Sequence, residues 1–339
     1  MLRSRLRPVV AASRTALRAA GARPSVRRWL EIAASEVTAA LTDTVDEARY
    51  GAAYFGRSRP KQTDAGLVSG YARYDRSSSQ MNLAAYLVWR ELSAIRALDV
   101  GAAYGYMVEA LRDLGFDAVG VEYSEHAARH ASPGAAGHLL QGDVSAGLPF
   151  RDAQFDLVTI FETLEHLPPK VIPDVLGELR RVCSGFLVAT IPSFGPNAHG
   201  ADGFLDHKVR DDVIDSYYQR GPQYTGPVPY EDLYPDAAGL PAEGHLTIAS
   251  FAWWTDRFAE AGFLRCGAVE ERLAPELRRF GVANLWNLYV MRVPQVDEPS
   301  TAPRTDEELR AAQRRLRLRP KEQPDPPPSR YPAAGVGAS

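Results

Sequence analysis

Small residues and carboxylates follow three successive apolar segments of the sequence. A turn of small residues begins at Gly101, directly after an apolar run, while Glu122 ends the second segment and Asp143 follows the third. Such a turn lets the backbone approach a ligand, and a carboxylate can accept hydrogen bonds from both hydroxyls of a ribose. The pattern predicts a nucleoside site in which Glu122 binds the ribose and Asp143 reaches an adenine amino group.

Two of the seven histidines lie where a general base would be useful. Histidine titrates near neutral pH and suits the removal of a proton from a hydroxyl group. His166 stands beside Glu162 and Glu165 after the fourth apolar segment, and His245 ends a long irregular segment. Both are candidate bases, and a packing or capping role is the competing interpretation of His166. The others are interpreted as structural or belong to the irregular segment: His126, His130, His138, His199 and His207.

The irregular segment, residues 192–249, is rich in tyrosine. A long segment of this kind inside a domain usually forms a lid or binding loop. Tyrosine has an apolar ring and a polar tip, which suits sugars and aromatic metabolites. We therefore expect Tyr224 and Tyr230, together with Glu162, to contact the substrate. No metal is expected, because acidic and histidine runs in loops are usually solvated; the run concerned is Asp202, Asp206, His207, Asp211 and Asp212.

Alternating strands and helices are needed to position these residues. Apolar runs predict strands at 94–100, 117–122, 138–141, 155–161, 185–191, 264–270 and 284–293. Helical spacing predicts helices at 81–92, 105–114, 124–130, 171–182 and 250–261, with Ser124 and Ser250 as N-caps and Gly262 as a stop. The alternation predicts a Rossmann-like, doubly wound α/β fold: a mostly parallel seven-stranded sheet with helices on both faces. Ligands of such sheets bind beyond the carboxyl ends of the strands.

The two ends of the chain differ from its body. Residues 1–30 are expected to be a basic, disordered arm, and residues 31–93 a helical cap. Residues 94–293 form the predicted domain, and 294–339 a proline-rich disordered tail with a short helix at 305–316. An arginine-rich, acid-free N-terminus also fits a mitochondrial transit peptide. The composition favours a solvated arm, and thus a cytoplasmic protein, with a mitochondrial one as the alternative.

Charge and composition exclude several classes of function. The 339 residues carry a net charge of −3; residues 1–28 carry +8 and 295–339 carry +1, so the body carries −12. An acidic body argues against nucleic acid as a partner. Only two cysteines occur, so a disulfide framework or a cysteine-based zinc site is not expected. No apolar run reaches the ~18 residues that span a bilayer, so no integral membrane association is expected.

Several short motifs resemble those of the class I S-adenosylmethionine-dependent methyltransferases of small molecules and glycans. The segment Leu98–Gly105 is similar to their motif I, and Thr163–Leu167 resembles their "LEHL" signature. Gly142-Asp143, Phe155–Val158, Gly244-His245 and Ala261–Phe263 resemble other segments, so the resemblance covers roughly residues 80–293. It implies S-adenosylmethionine as the cofactor, held by Asp99, Gly101, Ala103, Gly105, Glu122, Tyr123, Asp143, Val144 and Phe161.

The resemblance implies methyl transfer to a small-molecule or sugar acceptor, at oxygen and with a histidine base. The family usually has glycine where this chain has Ala103, and alanine is tolerable there if its φ is negative. Ala103 and Tyr104 crowd the approach that a dinucleotide pyrophosphate needs, which favours the methyl donor. An NAD(P)-dependent oxidoreductase and a catalytically silent nucleoside-binding subunit remain alternatives. Aromatic residues at 50–56, Tyr71 and Tyr74 either shield the donor's sulfonium or simply pack.

Overall fold

A computed structural model of the protein describes residues 50–55, 61–63, 66–68, 75–76, 80–196, 202–203, 208–220, 224–235, 241, 244–281 and 288–321. Several sequence predictions fall outside these residues. They concern the basic arm at 1–30, residues 31–49 of the expected cap, and the side chains of Tyr71, Tyr74, His199, Asp206 and His207.

The strands agree closely with the apolar runs, and Phe155–Phe161 agrees at both ends. In chain order they are β1 Lys61–Thr63, β2 Gly66–Val68, β3 Arg96–Val100, β4 Asp117–Glu122, β5 Leu139–Gln141, β6 Phe155–Phe161, β7 Cys183–Thr190, β8 Ser193–Pro196, β9 Asp202–Gly203, β10 Ala249–Ser250, β11 Leu264–Arg265 and β12 Leu288–Arg292.

The helices follow the 3.6-residue spacing of apolar side chains. They are α1 Ala52–Phe55, α2 Met81–Glu91, α3 Tyr106–Asp113, α4 Glu125–Arg129, α5 Ile172–Val182, α6 Asp211–Arg220, α7 Phe251–Glu260, α8 Gly267–Arg279 and α9 Asp306–Arg315. Both predicted serine caps are confirmed: Ser124 Oγ accepts from the Ala127 N–H, and Ser250 Oγ from the Trp253 N–H. None of these helices is long and apolar enough to cross a bilayer.

The main sheet has seven strands in the order β11-β12-β7-β6-β3-β4-β5. The pairs within β7-β6-β3-β4-β5 are parallel, and β12 and β11 are antiparallel additions at one edge. The mostly parallel seven-stranded prediction is therefore confirmed. The order along the chain turns back beside β3, so a crevice opens at the carboxyl ends of β3 and its neighbours.

Buried side chains alternate between the two faces of the sheet. On β7, Phe186 and Val188 belong to one apolar cluster, while Leu187 and Ala189 belong to another. Side chains of α2, α3, α8 and α9 complete the first cluster, and those of α5 and α7 complete the second. Because successive strand residues point to opposite faces, both faces of this sheet are covered by helices.

Residues 192–249 are more structured than their sequence predicts. Their described part includes β8, β9, β10 and α6, and it has an apolar cluster of its own. Tyr217 and Tyr218 are buried in that cluster, and the Tyr217 hydroxyl donates to Asp232 Oδ2 at 2.6 Å. The tyrosine content that suggested a binding loop instead supplies much of this small core.

Two predictions about the C-terminal third need correction. The strand expected at 264–270 ends at Arg265, and α8 begins at Gly267. Val269, Leu273 and Leu277 are buried along this helix, so their spacing of four residues was the helical signal that the prediction missed. The strand expected from 284 is described from Leu288 onward.

Residues 294–321 do not form the expected disordered tail. Helix α9 has a capping box between Thr305 and Glu308, and Leu316 just after it is only 1% exposed. The Asn82 side-chain amide donates to the Leu316 carbonyl at 3.0 Å, which ties this segment to α2. An apolar helical face thus outweighs the proline content as far as Lys321. Residues 322–339 lie outside the described residues.

Candidate functional site

A crevice of about 810 Å³ opens where β3, β4, β5 and β6 end. Its volume lies within the roughly 300–1,000 Å³ typical of small-molecule sites. The parallel register brings residues far apart in sequence to one edge, because the carboxyl ends of parallel strands share that edge. The crevice wall includes these sequence-predicted residues: Gly101, Ala103, Glu122, Tyr123, Asp143, Val144, Phe161, Glu162 and His166.

Glu122 occupies the carboxyl end of β4 and is only 7% exposed. Its Oε2 accepts from the Ala103 N–H at 2.6 Å, and its Oε1 accepts from the Ser124 N–H at 2.7 Å. Burial raises the pKa of Glu122, and these backbone donors oppose the rise. The carboxylate is thereby held in one orientation at the crevice wall, where each oxygen has a second lone pair for a ligand hydroxyl.

The turn after β3 has an unusual backbone. Gly101 has φ +75°, and a Cβ placed there would lie 2.2 Å from Thr163 Oγ1, so the turn abuts the loop after β6. Ala103 has φ +47°, which contradicts the negative φ expected from its side chain. The hydrogen bond from its N–H to Glu122 holds this left-handed conformation. The family's glycine is therefore replaced here at a position that favours glycine.

Replacing Ala103 by glycine should stabilise the protein. Glycine removes the steric cost of a Cβ at positive φ, of roughly 1–2 kcal/mol, against a loss of unfolded-state entropy of about half that size. We expect Ala103→Gly to raise the free energy of unfolding by up to about 1 kcal/mol, measured by urea denaturation. Ala102, the neighbour at negative φ, is the matched control. Ala102→Gly should destabilise, and equal losses for both variants would contradict the assignment.

Asp99 lies under the turn rather than in the crevice wall. It is 4% exposed, and Thr159 Oγ1 donates to its Oδ1 at 2.7 Å. Burial raises the pKa of Asp99 to about 7; the hydrogen bond from Thr159 opposes this and the charge of Glu122 adds to it. Asp99 is thus a support for the turn, and its expected contact with the cofactor stays a prediction.

The raised pKa of Asp99 gives a stability effect of defined sign. Between its ordinary value of 3.8 and about 7, the folded chain holds a proton that the unfolded chain has lost. The contribution of this group to stability is therefore present below pH 4 and is lost as the pH rises through 7. Asp99→Asn abolishes this titration.

We expect the free energy of unfolding of Asp99→Asn, relative to wild type, to rise with pH by at most about 4 kcal/mol. Urea denaturation at mildly acidic and mildly basic pH measures the difference. Asp117→Asn, at the exposed start of β4, should leave the wild-type pH dependence intact. Parallel curves for Asp99→Asn and wild type would exclude a proton held at Asp99.

Gly105 and Asp143 flank the crevice in different ways. Gly105 is the N-cap of α3, and a Cβ there would lie 2.5 Å from the Cβ of Ala135, so it is a close-packing position outside the wall. It supplies no side-chain cap, and the first N–H groups of α3 can therefore face an anion. Asp143 lines the crevice, and its Oδ1 accepts from the Ser145 N–H at 2.8 Å.

The loop after β6 forms the other end of the crevice. Glu162 lines the wall and has φ +47°, a strained conformation for a residue with a side chain. His166 lines the wall three residues after Thr163, at the end of a short 3₁₀ turn. Its Nδ1 lies 3.2 Å from the Gly244 carbonyl oxygen, which can only accept, so Nδ1 carries the proton and Nε2 carries the lone pair of the neutral ring.

His245 lies behind His166, outside the crevice wall. The two rings are 4.9 Å apart between centroids, and His245 is 9% exposed. Its Nε2 is 4.0 Å from Oε1 of Glu165, which is fully buried. The structure therefore brings both predicted bases together but places only His166 at the crevice.

Tyr224 and Tyr230, the expected substrate contacts, are not in the crevice wall. Both pack against the apolar cluster of residues 192–249, and the Tyr224 hydroxyl donates to the Pro227 carbonyl at 2.8 Å. In the loop run considered for a metal, Asp212 instead pairs with Arg210 at 2.5 Å. Substrate contact by the two tyrosines stays a prediction that the geometry of the crevice does not favour.

Part of the wall was missed or left open by the sequence. Tyr50, Tyr54 and Phe55 cover one side, and Ser124 Oγ donates to the Tyr50 carbonyl at 2.7 Å, which anchors this segment to the end of β4. The Tyr50 ring is 5.6 Å from that of His166. Their aromatic run was the available signal. The other wall residues beyond the predicted set are Val100, Val121, Gly142, Thr163 and Leu167.

The chemistry of this wall fits an adenosyl ligand. One end presents a fixed carboxylate and uncapped helix N–H groups, and the apolar residues Val121, Val144 and Phe161 can enclose a base. Tyrosine rings face the space between, where a cation would be attracted to their faces. Each polar and apolar part of such a ligand thus meets a complementary part of the crevice.

Residues 98–185 match the family model of a methyltransferase domain. The match begins in β3 and ends in β7, so it includes the strand ends that build the crevice. Together with the wall chemistry, it supports S-adenosylmethionine as the cofactor. No curated protein sequence matches the chain.

Solved methyltransferase structures resemble the chain more distantly. A SAM-dependent methyltransferase from Archaeoglobus fulgidus is 21% identical over 36% of this chain and 55% of its own, with a TM-score of 0.32. One from Methanosarcina mazei is 16% identical over 60% and 94%, with a TM-score of 0.38. A Haloferax volcanii complex of the Trm112 methyltransferase activator and a methyltransferase gives 15%, 63% and 88%, with a TM-score of 0.38. At these values the likenesses carry no argument about function.

Proposed function

We propose that the protein is an S-adenosylmethionine-dependent methyltransferase acting on a hydroxyl group of a small molecule or sugar. The observation that carries the proposal is the convergence of three successive strand ends on one crevice, with Gly101, Glu122 and Asp143 in its wall. The cofactor supplies a methyl group on a positively charged sulfur. The crevice supplies a position for it and, at the end formed by Glu162 and His166, a position for the acceptor.

The residues at the acceptor end support transfer to oxygen. Transfer forms a bond between the acceptor oxygen and the methyl carbon as the carbon–sulfur bond breaks, with its electron pair left on sulfur. A hydroxyl acceptor must also lose its proton, and Nε2 of His166 can take it. His245 is then a positioning residue, since it contacts His166 rather than the crevice. Tyr50, Tyr54 and Phe55 exclude water from the reacting atoms.

Two alternatives from other classes make different predictions. An NAD(P)-dependent oxidoreductase needs close backbone approach to a pyrophosphate, and the Cβ of Ala103 at positive φ narrows this approach. A catalytically silent subunit would bind the nucleoside without turnover. The acidic body and the cytoplasmic location expected from the sequence stay predictions, as does the absence of a nucleic-acid partner.

Calorimetric titration with S-adenosylhomocysteine and with NADH tests the proposal directly. We expect saturable binding of S-adenosylhomocysteine to one site and none of NADH. A screen of hydroxylated metabolites with methyl-labelled donor then tests turnover. Binding without turnover would favour the silent subunit, and binding of NADH alone would overturn the proposal.

A further inference from the structure

Three potential metal ligands meet at the acceptor end of the crevice. Glu165, His166 and His245 each offer one ligand atom, and these atoms lie within 4.8 Å of one another. The His245 Nε2–Glu165 Oε1 distance is 4.0 Å. That is longer than a hydrogen bond, and it is close to the roughly 3–4 Å between two ligands that share an ion through bonds of ~2.1 Å. Small side-chain rotations suffice to close the set around one ion.

The backbone around these residues holds the two contributing segments together. The N–H groups of Leu246 and Thr247 both donate to the Glu165 carbonyl, at 2.7 and 3.0 Å. Thr247 Oγ1 donates to the Leu167 carbonyl at 2.6 Å. The ligands therefore stand on two chain segments about 80 residues apart that are fixed by three hydrogen bonds. A preformed site needs this kind of support.

The orientation of His166 matches that of a metal-binding histidine. Its Nδ1 donates to the Gly244 carbonyl, so the lone pair lies on Nε2. Metal ligands of this type usually donate their other ring N–H to a carbonyl or carboxylate, which fixes the tautomer. Glu165 is fully buried, and a carboxylate removed from water is favoured beside a cation.

We propose that Glu165, His166 and His245 form a site for one divalent transition-metal ion. Two imidazoles and one carboxylate suit Mn²⁺, Fe²⁺, Co²⁺ or Zn²⁺ rather than Mg²⁺ or Ca²⁺, which prefer oxygen ligands. Because His166 lines the crevice, the open coordination positions face the acceptor. There the ion binds the acceptor hydroxyl oxygen and lowers its pKa, so that the proton leaves to water. This role rests on the proposed function; the site itself does not.

Cobalt provides the direct test, because Co²⁺ bound by nitrogen and oxygen ligands has a visible absorption spectrum. The untagged protein is freed of metal by chelation and titrated with Co²⁺, with binding also followed by calorimetry. We expect one tight equivalent in wild type. Glu165→Gln and His245→Gln should weaken this binding by at least about 100-fold, the upper end of the loss seen when an outer-shell partner is removed.

His130→Asn is the matched control, since His130 is exposed and lies outside the cluster. It should keep the wild-type titration. No tight equivalent in wild type, or equal binding by the ligand variants, would overturn the site. If a buried variant does not fold, His166→Asn at the half-buried wall position replaces it. S-adenosylhomocysteine titration of the metal-free protein keeps the outcomes separate: binding there with no Co²⁺ site refutes the ion and leaves the donor site standing.

Discussion

Glu122→Gln should lose at least about 100-fold in affinity for S-adenosylhomocysteine, since two hydrogen bonds to a charged group contribute roughly 1.5–3 kcal/mol each. The substitution preserves the volume of the side chain but removes its charge. Its amide group must also face one of two backbone N–H groups, those of Ala103 and Ser124, both of which need an acceptor. We expect both the ribose contact and the shape of the turn to suffer. Calorimetric titration measures the loss.

The control for this prediction is a carboxylate at the other end of the same strand. Asp117 begins β4, and its side chain is 75% exposed and makes a 3.8 Å ion pair with Arg112. Asp117→Asn should bind S-adenosylhomocysteine as wild type does. Circular dichroism of both variants separates a binding defect from unfolding. Wild-type affinity in folded Glu122→Gln would remove the central residue of the proposed donor site.

His166→Asn should lower kcat by about 10²- to 10⁴-fold, the usual contribution of a group that assists proton transfer. Asparagine can still donate to the Gly244 carbonyl in place of Nδ1, but it lacks the nitrogen that corresponds to Nε2. Affinity for S-adenosylhomocysteine should stay at the wild-type value, because the donor contacts lie at the other end of the crevice. Initial rates with a hydroxylated acceptor and labelled donor measure the effect.

The exposed His130 again provides a matched substitution. Its Nδ1 lies 2.7 Å from the His126 carbonyl oxygen, the same local contact that His166 makes with Gly244. His130→Asn should retain full activity. Full activity in His166→Asn would exclude this residue both as base and as metal ligand, and would leave the acceptor end without an assigned proton acceptor.

Much of the crevice could be predicted because its residues are local to strand ends. Glu122 ends an apolar run and Gly101 follows one, so strand boundaries alone place them at one edge of a parallel sheet. Regular alternation also predicted the sheet, since buried strands are continuously apolar. These features depend on sequence neighbours and on a well-defined topology rule.

The parts that sequence reasoning missed depend on contacts between distant segments. The positive φ of Ala103 follows from a hydrogen bond to Glu122, and no local pattern announces it. Glu165 and His245 meet only because residues 244–247 lie along the loop after β6. The tyrosines at 217 and 218 have a composition typical of binding loops but are buried in a small core. Chemistry of residue type alone does not distinguish these outcomes.

The pairing of α9 with α2 has a consequence for how the chain is made. Leu83, Tyr86 and Leu316 share one apolar cluster, and the Gln313 side chain donates to the Tyr86 hydroxyl at 2.7 Å. Synthesis runs from the N-terminus, so the ribosome makes α2 more than 200 residues before its partner. Until residue 316 emerges, that apolar face is open to water and to other nascent chains, and it depends on chaperones for protection.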